Sequence, residues 1–310
     1  MPGFTITLRV SFNRVVLNRV MLNRVVAMLI IAVLTLPTKS LASSNNSTIA
    51  ALDIRIVETL VAMDIIPASL TDPEAHSFSD PRLSGATNLG IGFQPNLELL
   101  SQVSPQKILI SPNLAQISAQ LSSISPLKSL TPYGNEAGAD SWQQLTSFTR
   151  ELGTYIDAES SAERLIREAE QHLHALRESI PDNQPPLLII RLMDNRHARV
   201  FGSNSMFQSA LEQLELTNVW QGESNHWGFT TVSIDALIDI DARLVILESP
   251  YANSPVREQF SAQGTWRYMR SLRRGDELYL PATFHHFGAL PSTLSFADLL
   301  VEALDVRSEH

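Results

Sequence analysis

Ala158-Glu159-Ser160-Ser161-Ala162-Glu163-Arg164-Leu165-Ile166-Arg167-Glu168-Ala169-Glu170 opens a segment that runs to about Ile180 without a glycine or proline. Ala162, Leu165, Ile166, Ala169, Leu173 and Leu176 recur at helical spacing and give it one apolar stripe. At 1.5 Å per residue, its about 23 residues span roughly 34 Å. That is long enough to cross from one lobe to another. Pro181 and Pro185-Pro186 end it.

On its N-terminal side, Thr48-Ile49-Ala50-Ala51-Leu52 reads as a buried strand, and Asp53 can cap a helix over Ile54 to Met63. Thr71 to Thr87 is loop-like. Pro95 to Leu100 opens a short helix with Pro95 in its first turn. Lys107 to Ser111 is the next strand, Ala115 to Leu121 a helix, Leu127 to Thr131 a third strand and Ser141 to Tyr155 a helix. On the C-terminal side, strands are expected at Leu187 to Leu192, Ala198 to Phe201, Leu244 to Glu248 and Leu278 to Leu280. Helices are expected at Ser205 to Leu214, Ser233 to Asp239, Trp266 to Leu272 and Ser292 to Leu304. Strand and helix alternate on both sides, so the fold class is α/β with two lobes. The expected division is a lobe over 43–157, the connecting helix over 158–181 and a second lobe over 182–310.

Residues 1–42 read as a signal peptide and are set apart from the fold. Arg9, Arg14, Arg19 and Arg24 form a positive region without an acidic residue, and Val25 to Leu36 is apolar. This run is shorter than the about 20 residues of a membrane span and stops at Pro37. Ser40-Leu41-Ala42 offers small residues for cleavage after Ala42, with export to a periplasm. An uncleaved anchor is the other reading. Met21 and Met28 are further possible starts.

The chain carries 23 basic and 32 acidic residues, and the leader removes five of the former and none of the latter. Such an acidic surface repels nucleic acid and anionic lipid, so no nucleic-acid partner and no membrane insertion of the mature chain are expected. Cysteine is absent, which excludes disulfides, thiolate metal ligands, cysteine nucleophiles and a lipid anchor on cysteine.

Three segments carry a family likeness: Leu89-Gly90 with Pro95 to Leu100, then Val200 to Gln208, then Asn218 to Gly228 continuing into Val232 to Asp235. With them the chain resembles the periplasmic substrate-binding proteins of iron-siderophore ABC importers, in the ferric-hydroxamate (FhuD-like) branch. The resemblance covers essentially all of the mature chain. It implies two α/β lobes joined by one backbone helix (the class III type), with a shallow cleft that closes little. It also implies a ferric siderophore as ligand, inner-membrane permease subunits as partners, no catalysis and no cofactor beyond the iron inside the ligand. A monomer is expected.

A bulky chelate needs aromatic walls and a few oriented polar groups. Trp227 lies in a loop rich in Gly and Asn and matches a family cleft wall. Asn225 matches a polar contact or is a turn former. Phe229 replaces a small polar residue and makes that wall more apolar. Phe284-His285-His286-Phe287-Gly288 matches another cleft segment, and adjacent histidines on extended chain point to opposite sides. Phe284, His285 and His286 are therefore candidates, each histidine having packed or solvated imidazole as its plainer reading. The family's ligand-gripping arginine falls on Gly92 and its hydroxamate-contacting tyrosine on Leu114, so both donors are lost. Arg191 and Arg196 are possible substitutes, though either could be a surface or structural arginine. Glu98 and Asp235 match the carboxylates, one per lobe, that dock into permease arginines, and each also suits a helix N-terminus.

Three rival readings exist. A binding protein for bare Zn²⁺ or Mn²⁺ could draw on His76, His226, His285 and His286, but no tight ligand motif is present. A B12-type ligand suits the same fold. An exported hydrolase lacks support, since there is no Gly-x-Ser-x-Gly elbow, His-Glu-x-x-His or phosphate loop.

Overall fold

The computed structural model describes residues 48–72, 80–133, 140–194, 196–248, 265–281 and 283–308. The expected leader and His76 lie outside them.

Short apolar segments build the first sheet. Its strands are β1 (Ile49–Ala51), β2 (Ser69–Leu70), β3 (Thr87–Asn88), β6 (Lys107–Ile110) and β7 (Leu127–Ser129), ordered β3-β2-β1-β6-β7 and parallel throughout. A small hairpin of β4 (Gly90–Ile91) and β5 (Gln94–Pro95) stands beside it. The crossovers carry α1 (Ile54–Ala62), α2 (Leu97–Val103) and α3 (Ser118–Ile124). Asp53 caps α1, as its position before an apolar-periodic run predicts, and Asn96 caps α2.

Two antiparallel-packed helices follow, α4 (Ser141–Tyr155) and α5 (Glu159–Ser179). A Cβ on Gly153 would stand 2.6 Å from the Ala162 Cβ, so the missing side chain lets the two helices touch at their turn. The stripe read from the sequence is the buried face of α5: Ala162, Leu165, Ile166, Ala169 and Leu173 are all buried.

The second sheet has β8 (Leu187–Leu192), β9 (His197–Phe201), β10 (Phe229–Ser233), β11 (Arg243–Leu247) and β12 (Glu277–Leu280), ordered β10-β9-β8-β11-β12. β8, β11 and β12 run parallel, and β9 and β10 extend the sheet antiparallel. α6 (Met206–Gln213), α7 (Arg270–Arg274) and α8 (Leu290–Ser308) complete the chain.

Strand side chains alternate between faces, and both sheets give one face to the same core. Ile49, Ala51 and Leu109 from the first sheet, and Leu187, Ile189, Phe201, Val245 and Leu247 from the second, belong to one contiguous apolar cluster filled by α1, α4, α5, α6 and α8. The outer faces pack separately: Leu52, Ile108 and Ile110 in one cluster, Leu188, Ile190 and Ile246 in another. Leu60, fully buried in the shared cluster, is typical of its members. Truncation of such a side chain costs about 2–5 kcal/mol.

Some boundaries differ from the sequence reading. Pro95 pairs with Gly90 in the hairpin instead of entering α2, because Asn96 takes the cap. Ala115 to Leu121 divides into a 3₁₀ turn, Pro112–Ile117, and the start of α3. Ser233 to Asp239 contracts to a 3₁₀ turn, Ile234–Leu237.

Candidate functional site

Open α/β sheets place ligands at the C-terminal ends of their strands, and polar groups stand there in both sheets, Asp53 after β1 and Arg191 near the end of β8. After β1 comes Asp53, whose Oδ1 accepts from the Arg55 N–H at 2.9 Å. The Arg55 side chain turns back on the same carboxylate, with Nε 2.8 Å from Oδ1 and Nη2 2.6 Å from Oδ2. Burial opposes a charge on Asp53, but the guanidinium outweighs it and holds the carboxyl below its usual range. Arg55 is fixed by this fork, and its guanidinium lies 5.5 Å from the centre of the Trp227 ring. A cation on α1 thus meets an aromatic on the loop before β10.

Trp227 is presented by a built turn. Asn225 Oδ1 accepts from the N–H groups of Trp227 (2.9 Å) and Phe229 (3.4 Å), and Asn204 Nδ2 donates to the Asn225 carbonyl at 2.8 Å. The Asn225 carbonyl oxygens are committed to shaping this loop. Gly228 adopts φ +79° with its backbone against Asn204 and Ser205, a place that admits no side chain.

Phe287 gathers the aromatic groups. Its centroid is 6.0 Å from Trp227, 5.7 Å from Phe229 and 6.1 Å from Phe201. Arg199 lies over Phe229 at 4.3 Å and 5.9 Å from Phe287, and Arg191 lies 5.9 Å from Phe287. Trp227, Phe229 and Arg191 are therefore brought together, joined by Phe287, Arg199 and Arg55. Sequence reasoning did not single out these last three. The signal for Arg199 was an arginine interrupting an apolar strand, and for Phe287 its place in the quoted segment.

The segment expected to be extended is instead a turn closed by the Gly288 N–H on the His285 carbonyl at 3.0 Å, and the two histidines diverge on it. His286 is buried between Phe284 and Phe207, and its Nδ1 stands 3.5 Å from Arg191 Nη1. Burial first, then the charge of Arg191, pushes its pKa down to about 3, so the ring is neutral and can only accept from Arg191. His285 faces the other way, into a pocket of about 390 Å³ that it shares with Glu58, Asp80, Arg82 and Ser292. This pocket does not include the Trp227 wall. In the wall of this pocket, Glu58 of α1 accepts from the Ala289 N–H and from Ser292 Oγ (2.6 Å) at the start of α8. Burial raises its pKa to about 7.

Other candidates are placed elsewhere. Phe284 is buried among Phe207, Phe296 and His286, with one edge on the 390 Å³ pocket. Leu114 is buried in the outer core of the first sheet with Leu100 and Ile110. Gly92 donates its N–H to Asp72 Oδ2 at 2.7 Å in the hairpin, beside the exposed Phe93. Glu98 is exposed in the first turn of α2, and Asp235 is exposed in the Ile234–Leu237 turn. Arg196 is exposed. Among the described residues, no group of three or more His, Cys, Asp or Glu is placed to hold a metal ion. None of their helices is long and apolar enough to cross a membrane.

Comparison with known proteins agrees with this architecture. The chain is 30% identical over 275 residues to the iron(3+)-hydroxamate-binding protein FhuD of Escherichia coli (strain K12), covering 86% of this chain and 90% of that protein. Its fold superimposes on the Fe³⁺-Desferal-bound siderophore-binding protein FhuD of Vibrio cholerae with a TM-score of 0.74 at 19% identity, covering 84% and 98% of the two chains. It also superimposes on Staphylococcus aureus SirA complexed with staphyloferrin B, with a TM-score of 0.64 at 16% identity and coverage of 84% and 93%. A family model described as periplasmic binding protein matches residues 49–283, and the chain belongs to that family.

Proposed function

We propose that this chain is the substrate-binding component of an ABC importer, holding a ferric siderophore of hydroxamate type in the periplasm and handing it to the inner-membrane permease. The observation that carries this reading is the wall of Trp227, Phe229 and Phe287 backed by Arg55, Arg191 and Arg199. Aromatic faces suit the organic rim of a chelate, and guanidinium groups suit its oxygen-rich centre. Identity to a hydroxamate-binding relative over most of the chain supports the same ligand class. Glu98 and Asp235 are the proposed permease contacts. The two sheets on either side of α5 support a division into lobes 43–157 and 182–310 about a helix at 158–181.

Tryptophan fluorescence tests the reading. Ferric hydroxamates should quench the protein, and Trp227→Phe should lose most of that quenching. Wild type that ignores every ferric chelate offered, or that chemically converts one, defeats the assignment. Equal quenching in wild type and variant removes Trp227 from the cleft.

A further inference from the structure

Arg191 and Arg199 stand directly opposite one another across the antiparallel pair β8–β9. Each is flanked in its strand by buried apolar residues, and each is half-buried. Like charges opposed on a sheet repel, and a partly desolvated pair repels more than a solvated one. Proteins keep such a pair where an anion can lie between or above the two.

Arg199 is the more telling of the two. Its guanidinium is laid on Phe229 at 4.3 Å, which holds the plane in place. Its Nε is buried and has no hydrogen-bond acceptor among the described residues. Burial alone lowers its pKa, with no carboxylate countering it. Arg191 Nη1 stands 3.5 Å from Nδ1 of neutral His286, which places its guanidinium beside that of Arg199. A fixed guanidinium with a buried donor to spare matches a planar, two-oxygen anion, which it binds bidentately.

Chelate chemistry turns this into a choice of ligand. Three hydroxamates neutralise Fe³⁺ and leave the complex uncharged. Replacing one by an α-hydroxycarboxylate, as in a citrate-based dihydroxamate, leaves the complex with a net negative charge and a carboxylate at its iron centre. Resting on the reading of the cleft as a siderophore site, we infer that Arg199, with Arg191 beside it, selects a carboxylate-bearing anionic ferric hydroxamate over a neutral trihydroxamate. The two arginines supply from the second sheet the donors that the first sheet lacks at Gly92 and Leu114.

The test uses the purified mature protein, fluorescence titration and two probes: a ferric citrate-based dihydroxamate and a neutral ferric trihydroxamate. Wild type should bind the anionic probe at least about tenfold more tightly, the worth of one charge-assisted contact. That preference should shrink as salt rises. Arg199→Gln should lose about tenfold for the anionic probe and less than about twofold for the neutral one. Equal affinities in wild type, or a preference for the neutral probe, overturn the inference while leaving siderophore binding intact. Equal losses for both probes in Arg199→Gln overturn it as well. Should wild type bind neither probe, the siderophore reading itself fails with it. The wild-type preference and its salt dependence decide the matter even if the variant does not fold.

Discussion

Glu58 makes the stability of this protein depend on pH in a direction that can be calculated. Its carboxyl is buried between α1 and the start of α8, and its pKa lies at about 7 against an ordinary 4.5. Below pH 4.5 the group is protonated in both folded and unfolded chains, and its share of the stability is fully present. As pH rises from 4.5 to 7, the unfolded chain releases the proton first, so stability falls. Above about 7 the loss is complete. The gap between the two values corresponds to a loss on the order of 3 kcal/mol. Glu58→Gln keeps the shape, leaves one carbonyl to accept from Ser292 Oγ or the Ala289 N–H, and removes the titration. Its own cost is one imperfect hydrogen bond, about 1–3 kcal/mol, and does not vary with pH. Thermal unfolding of both proteins between pH 4.5 and 7.5 isolates the effect, because every other titrating group cancels in the difference. Wild type should lose roughly 6–12 °C of Tm relative to Glu58→Gln across that range. Two melting curves that stay parallel with pH would refute the reasoning.

Three further outcomes follow from the site. Arg55→Ala strands the buried Asp53 carboxylate, whose side chain is 9% exposed, and should cost about 3–5 kcal/mol in urea unfolding. A change under 1 kcal/mol would show the fork to be slack. Gly228→Ala forces a side chain into a φ of +79° with contacts of 2.7 Å to the Asn204 carbonyl and 2.8 Å to Ser205 Cβ. It should destabilise by about 1–3 kcal/mol and weaken chelate binding by displacing Trp227, and unchanged affinity in a calorimetric titration would contradict that. Glu98→Ala combined with Asp235→Ala should abolish uptake of labelled ferric chelate while solution affinity stays at the wild-type level. Undiminished uptake would rule out docking through these carboxylates.

The helix α5 was legible because its burial follows one stripe at 3.6-residue spacing, and the sequence alone records that period. Strand cores such as Leu187 to Leu192 were legible as apolar runs. β10 was not, since Phe229-Thr230-Thr231-Val232-Ser233 is half polar and becomes a strand only by pairing with β9 at the sheet edge. Trp227 stood out because a tryptophan in a turn-rich loop has no local packing reason. Arg55 did not, because its contact with Trp227 joins residues far apart in the chain, and no local pattern reports such a pairing. The facing of Leu114 also depends on tertiary placement: it sits on the 3₁₀ turn Pro112–Ile117, where neither strand nor helix period applies.

A single apolar layer lying under both sheets has a consequence for how this molecule comes apart. Neither half can leave the other without stripping Ile189, Phe201 or Val245 of neighbours that the far half supplies, or Ile56 and Leu60 of theirs. Denaturation should therefore proceed in one cooperative step. If Trp227 and Phe287 wall the cleft as proposed, ligand exchange should then involve the loops that carry them and leave the scaffold behind them folded.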